Sequence, residues 1–303
     1  MNAAKTILIA GGTGFIGRVL NQYLTQKGHS VKILSRNPQN DNEVKWNAED
    51  IDESWVNELE NLDVLINLSG KNINCRFTEK NKALITTSRV QSTELLGKAI
   101  DQCISPPKIW MNSSTTSIYK SSLDVAMSED QNEFGDDFEK EVAILWEEAF
   151  YKYENPSTRK IVLRTSLVFG PKDGAFVPLK QLTRFGLGGT QGKGTQMVSW
   201  IHELDFARAV EHLIHSDEAK GAYNFCSPYP VSNRTLMRAF RKQMGMPIGL
   251  PGPEFLVRIG AFFIGTEADL LLKSRHVIPK RLVEQGFSFK FDTIDSALAD
   301  LIG

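Results

Sequence analysis

The stretch Thr6-Ile7-Leu8-Ile9-Ala10-Gly11-Gly12-Thr13-Gly14-Phe15-Ile16-Gly17 decides the fold of this chain. An apolar run of strand length enters a glycine turn, and the turn opens the amphipathic segment Phe15 to Gln26. Strand, glycine turn and helix in that order predict a dinucleotide site. Gly11 allows the tight turn. Gly14 lets backbone N–H groups approach a pyrophosphate, and Gly17 lets the helix pack close to the strand. Thr13, Phe15 and Ile16 stand between these glycines and belong to the same predicted cofactor-binding turn. The phosphates would face the positive end of the helix dipole and its unpaired N–H donors.

The next strand, Ser30 to Leu34, ends at Ser35-Arg36. An acidic residue in this neighbourhood would bind a ribose 2′-hydroxyl and select NAD. A hydroxyl and a guanidinium stand here instead. Arg36 can pair with a 2′-phosphate through charge-assisted hydrogen bonds, so the expected cofactor is NADP(H).

Further along, strands and helices alternate. A polar connection with Trp46 leads to a short helix near Glu53 to Leu59. Asp63 to Leu68 reads as a buried parallel strand. A loop from Ser69 to Phe77 precedes a long helix to about Cys103, and Pro106-Pro107 precedes the strand Lys108 to Asn112. A polar excursion, Ser121 to Asp137, leads to the helix Phe138 to Tyr153 and the strand Arg159 to Arg164. This βαβ rhythm predicts an α/β fold, a Rossmann-type doubly wound parallel sheet with its ligand at the carboxyl ends of the strands. After Gly170-Pro171 the rhythm changes. Residues 172–200 are rich in glycine and predict loops that wrap a ligand. Glu203 to Ser216 reads as a helix and Ala222 to Cys226 as a short strand. From Ser232 onward the chain is mainly helical, with Arg234 to Met244 and Glu254 to Phe263 clearest. The expected division is a dinucleotide-binding domain at 1–226 and a smaller, mainly helical substrate lobe at 227–303.

Composition bounds the function. The 303 residues suffice for a large core. Lys and Arg number 35 against 36 Asp and Glu, scattered rather than clustered, so no nucleic-acid partner is expected. The first strand begins within a few residues of Met1, which predicts no signal peptide. Phe255 to Ile264 is interrupted by Arg258 and is too short to span a bilayer. Cys75, Cys103 and Cys226 are isolated and odd in number; they suggest neither a disulfide framework nor a zinc site, and fit a cytoplasmic protein. His212 and His215 lie one helical turn apart without further ligands and read as a surface pair, so no metal is expected.

Several segments together resemble the extended short-chain dehydrogenase/reductase superfamily, which includes sugar-nucleotide epimerases and dehydratases, and within it the atypical YfcH-like branch. They are Gly11 to Gly17; Val64 to Gly70; Ser88-Arg89-Val90 with Thr93; Leu163 to Pro171; Gly186 to Gly189 with Gly192, Gly194 and Ser199 to His202; and Val277 to Leu282 with Gly286-Phe287. The resemblance implies that Leu68 and Ser69 pass beneath the adenosine or its ribose. It places Arg89 where related enzymes hold an asparagine near the cofactor, and Val168 toward the nicotinamide. Such folds often dimerise through two helices, so a monomer or homodimer is expected.

Related reductases use a Ser or Thr after the fifth strand and a Tyr-x-x-x-Lys helix, whose lysine lowers the tyrosine pKa. Counting back from Ile118-Tyr119 places the catalytic hydroxyl at Thr115, with Ser114 the near alternative. The Tyr-x-x-x-Lys pair is missing: Phe138 and Val142 occupy the matching slots. Phenylalanine donates no proton and valine tunes none. Tyr119, beside Lys120, is the best-placed substitute acid in the sequence. The remaining readings are a proton carried by substrate or water, and a protein that binds NADP(H) without turnover. On the same helix, Trp146 and Glu147 match the branch pattern, against core packing and a solvated charge. His202 reads as a helix cap rather than a catalytic acid, and Trp200, Phe185 and Lys193 as candidate pocket residues. The leading expectation is an NADP(H)-dependent oxidoreductase for a small carbonyl or alcohol. The alternatives are a nucleotide-sugar epimerase/dehydratase and a noncatalytic NADP(H)-responsive binding protein.

Overall fold

A computed structural model describes residues 3–131 and 133–303; Met1, Asn2 and Asn132, the last within the expected polar excursion, lie outside the described residues. Its strands are β1 (Thr6–Ala10), β2 (Ser30–Ser35), β3 (Glu43–Lys45), β4 (Val64–Asn67), β5 (Ile109–Thr115), β6 (Arg159–Thr165), β7 (Leu167–Phe169), β8 (Met197–Val198), β9 (Trp200–His202), β10 (Gly221–Phe225) and β11 (Val231–Ser232). Seven form one sheet in the order β10-β6-β5-β4-β1-β2-β3, and every pairing in it is parallel. The order reverses between β1 and β4. That reversal opens a crevice at the carboxyl ends of these two strands, where an α/β sheet of this kind takes its ligand.

The helices are α1 (Phe15–Gln26), α2 (Glu53–Val56), α3 (Glu79–Ile100), α4 (Phe138–Tyr151), α5 (Phe176–Arg184), α6 (Glu203–His215), α7 (Asn233–Gln243), α8 (Glu254–Ile264), α9 (Asp269–Leu272), α10 (Lys280–Glu284) and α11 (Ile294–Ile302). Alternation along β1 sends its side chains to both faces of the sheet. Ile7 and Ile9 pack with Leu20, Leu24, Val210 and Leu213 of α1 and α6. Leu8 and Ala10 pack with Trp55, Leu95, Leu96, Trp110 and Phe150 on the α3 and α4 side. Each fully buried large apolar side chain contributes about 1.5–3 kcal/mol relative to exposure. A third core joins Phe169, Phe176, Trp200, Phe240 and Leu298, and so seats α5, together with α7 and α11 of the helical C-terminal region, against β7 and β9.

Two differences from the sequence reading position the site. β5 continues past Asn112 because its ladder with β6 runs to Thr115↔Thr165, which puts Ser113, Ser114 and Thr115 at a strand end. Residues 172–200 are not all loop: α5 buries Phe176, Leu179 and Thr183 along one stripe. Pro178 sits in its first turn, where a missing N–H has no intrahelical acceptor to leave unpaired.

Candidate functional site

The glycine turn is built by close approach. Gly11 has φ +76°, and a Cβ there would stand 2.9 Å from the Leu68 carbonyl carbon. A Cβ on Gly17 would overlap the Gly12 backbone, so only glycine lets α1 sit this close to the turn. Gly14 differs, because a Cβ there would meet nothing nearer than the Gly11 oxygen at 3.4 Å. It caps α1 with no side-chain hydrogen bond, leaving the first turn without a built-in anion. Across the crevice Leu68 N–H donates to the Ala10 oxygen at 2.8 Å. The Ser69 Oγ is buried without a hydrogen-bond partner among the described residues. An uncapped helix N-terminus and an orphaned hydroxyl on the segment that abuts Gly11 fit a dinucleotide.

Beneath Ser69 lies a buried polar network. Asn67 Oδ1 accepts the Ser69 N–H at 3.0 Å, and Asn67 Nδ2 donates to Thr93 at 3.0 Å and to Asn112 at 2.7 Å. Trp146 Nε1 donates to the same Thr93 hydroxyl at 3.0 Å, so Trp146 is a core strut. Phe15, Ile16 and Leu68 pack against the same core that holds Val168. Arg89 lies against Gly70, donates to the Ile85 oxygen at 3.0 Å and stacks over Trp146 at 5.0 Å. Burial pulls its pKa down to about 10.

At the end of β2, Ser35 is buried and Arg36 exposed. Arg36 makes no ion pair with another described residue. The ladder sets Lys45 of β3 beside Ser35, a second cation that the sequence reading missed because only strand pairing brings it there.

The strand end of β5 separates the two candidate hydroxyls. Ser114 is buried and donates to Glu147 Oε1 at 2.6 Å, so its proton is committed. Thr115 is half-buried and its Oγ1 accepts the Ser117 N–H at 3.1 Å, which leaves its own proton free to donate. Glu147 is not the solvated charge of one sequence reading. It takes two bonds from Arg164, at 2.9 and 2.8 Å, in a buried pair. Burial alone would lower the Arg164 pKa, but the bonds to Glu147 outweigh it and keep the guanidinium charged.

Tyr119 is only 2 % exposed. Its hydroxyl donates to Asn224 Oδ1 at 3.0 Å and accepts from Arg164 at 2.8 Å. Burial pushes its pKa up. Lys120 turns away to solvent, 3.8 Å from Glu133. On α4, Val142 is buried and Phe138 meets Phe77 edge-on at 5.1 Å. The segment after α9 is tied onto this region: Lys273 pairs with Asp137 and Arg275 with Glu139, each at 2.7 Å.

The remaining candidates differ in burial. Trp200 is fully buried, so it lines no pocket, while Phe185 and Lys193 are exposed. His202 caps α6, its Nδ1 accepting the Leu204 N–H at 3.0 Å. His212 and His215 are half-buried rather than on the surface. His215 meets His29 and Glu211, one possible ligand atom from each lying within 4.8 Å of the others. His29 Nδ1 accepts the Lys5 N–H at 3.1 Å, so the neutral ring carries its proton on Nε2 and lacks the lone pair a metal would need there.

A parallel sheet with its glycine turn at the switch point defines a dinucleotide-binding α/β protein. The chain belongs to the NAD dependent epimerase/dehydratase family, whose model matches residues 7–226. Residues 253–301 match a domain of unknown function, DUF1731. The chain is 34 % identical to epimerase family protein YfhF of Bacillus subtilis, over 100 % of this chain and 98 % of YfhF. It is 32 % identical to epimerase family protein SDR39U1 of Homo sapiens, over 98 % of this chain and 99 % of that protein. The crystal structure of human SDR39U1 (isoform 2) with NADPH matches with a TM-score of 0.88 and 32 % identity, covering 98 % of each chain. A nucleoside-diphosphate sugar epimerase from Corynebacterium glutamicum matches with a TM-score of 0.82 and 25 % identity, covering 99 % of this chain and 59 % of that one.

Proposed function

We propose that this chain is an NADP(H)-dependent oxidoreductase acting on a small carbonyl or alcohol. The observation that carries the reading is the uncapped first turn of α1 together with the orphaned Ser69 hydroxyl on the segment that abuts Gly11, with Arg36 exposed beyond β2. Gly11, Thr13, Gly14, Phe15, Ile16 and Gly17 would hold the pyrophosphate. Leu68 and Ser69 would hold the adenosine side, Arg89 and Val168 the nicotinamide side. Arg36 and Lys45 would meet a 2′-phosphate, with Ser35 beside them. NADPH in the related human structure supports this choice. When bound, the nicotinamide supplies or accepts a hydride.

Thr115 would then donate a hydrogen bond to the substrate oxygen and fix its position, while water supplies the proton that joins that oxygen as the hydride joins its carbon. Tyr119, paired on both sides, serves as a positioning residue: it braces Arg164, which fixes Glu147, which holds Ser114 next to Thr115. Residues 1–226 would hold the cofactor and 227–303 would cover the substrate. The similarity to a sugar epimerase keeps epimerisation as a second reading.

The test is transfer of label from 4-deuterated NADPH across a panel of small ketones and aldehydes. Stereospecific transfer is expected, with Thr115→Val lowering kcat/KM by roughly 10²-fold and leaving the NADPH Kd unchanged. No transfer to any compound, or full activity of Thr115→Val, contradicts the reading. Retained cofactor and epimerised sugar nucleotide without net transfer would favour the second.

A further inference from the structure

Helix α8 is amphipathic in the wrong sense for a monomer. Its one buried residue is Ala261. At 3.6 residues per turn, Phe255, Leu256, Ile259 and Phe263 lie on the side opposite Ala261, with Phe262 on the flank and Ile264 exposed at the C-terminal end of the helix. These six are between 49 and 82 % exposed. The charged residues Glu254 and Arg258 lie on the Ala261 side. A surface helix ordinarily turns these faces the other way.

At roughly 200 Å² for a fully exposed large side chain, the six expose on the order of 700 Å² of apolar surface. That exceeds the largest patch of an ordinary monomer, about 300–600 Å². It approaches the roughly 800 Å² that each partner gives to a stable interface. The polar groups around the helix are already neutralised. Arg258 pairs with Glu254 at 2.8 Å and Asp269 at 3.2 Å, and Arg76 with Glu267 at 3.4 Å. A helix that lies on a lipid surface carries unpaired Lys and Arg beside its apolar face; this one does not. A flat, charge-neutral apolar helix is self-complementary across a two-fold axis.

The geometry points to α8 as the interface with a second copy of this chain. The placement links that interface to the crevice. Before α8, Gly252 exchanges backbone bonds with Thr190 and Gly192 of the glycine-rich loop, each at 2.8 Å. Beyond α8, Glu267 accepts the Phe77 N–H at 2.7 Å, and Arg76 stacks over Phe262 at 4.8 Å. Both tethered loops lie beside segments proposed to hold the ligands, so pairing of two α8 helices would fix their span.

The test is sedimentation and light scattering of the full chain at micromolar concentration. The unaltered chain is expected at twice its 33.9 kDa. Ile259→Glu/Phe263→Glu is expected as a monomer with its Tm and NADPH affinity retained, since both side chains lie opposite Ala261 and project from the fold. The Ile259→Cys chain is expected to form an intermolecular disulfide under mild oxidation. An unaltered chain that stays monomeric, or a dimer that survives the double substitution, overturns the proposal. So does binding of the monomer to phosphatidylcholine/phosphatidylglycerol vesicles that the double substitution abolishes, which would make α8 a lipid contact.

Discussion

The two halves of the crevice have opposite character. Over β1, β2 and β4 the groups are left open: the first turn of α1 lacks a side-chain cap, Ser69 Oγ is orphaned and Arg36 has no ion-pair partner among the described residues. Over β5 and β6 almost every strong group is already paired, with Arg164, Glu147, Ser114, Tyr119 and Asn224 closing a chain of bonds. Thr115 is the exception, keeping a free proton at the edge of that closed network. Open groups mark where a ligand is awaited, and closed ones mark what holds the frame.

The closed half breaks most severely. Glu147→Ala leaves Arg164 buried and uncompensated, and should lower stability by about 3–5 kcal/mol in urea unfolding. A loss below about 1 kcal/mol would mean that the pair is solvated in practice. Next is Gly11→Ala, which meets both a positive φ and the Leu68 carbonyl. It should cost about 1–3 kcal/mol of stability and weaken NADPH by at least tenfold in calorimetry. Unchanged NADPH affinity would show that the turn does not hold the pyrophosphate.

In the open half, Arg36→Asp should weaken NADPH by about 1.5–3 kcal/mol, roughly 10- to 100-fold, and leave NADH unharmed. Unchanged NADPH affinity removes Arg36 from the 2′-phosphate site. Tyr119→Phe should cost about 1 kcal/mol, lower kcat more than it raises KM, and leave the pH dependence of kcat in place. Loss of a titrating limb from that profile would instead make Tyr119 the acid itself.

The smallest effect is pH-dependent. Burial acts to raise the Asp137 pKa, but the Lys273 bond and the Lys140 N–H outweigh it and hold the carboxyl below its usual range. A depressed folded pKa stabilises the fold above the unfolded value of about 3.9, and that stability is lost as pH falls through the folded value. The Tm difference between the unaltered chain and Asp137→Asn should therefore be full at neutral pH and shrink as the pH falls through the acid range below about 3.9. A difference that persists there contradicts the assignment.

What the sequence made legible follows from the range of each constraint. Gly11, Gly14 and Gly17 answer to backbone geometry within one turn, so their spacing carries the fold and the cofactor crevice. Ser35-Arg36 is equally local. The closed network is not: Tyr119 reaches Asn224 across 105 positions, and Glu147 gains its meaning from Arg164 on another element. Adjacency in sequence carries little here, because Lys120 faces solvent while the Tyr119 hydroxyl points into the fold. Helix α5 was hidden by glycine density, although Phe176, Leu179 and Thr183 carry its helical spacing. Lys45 became visible only through its pairing beside Ser35.

The central claim is that the open half selects a phosphorylated dinucleotide. Calorimetric titration of the unaltered chain with NADPH and NADH, at one salt concentration, tests it directly. The expected result is a one-to-one complex with NADPH at least tenfold tighter than with NADH. Equal affinities, or no binding of either, would contradict it.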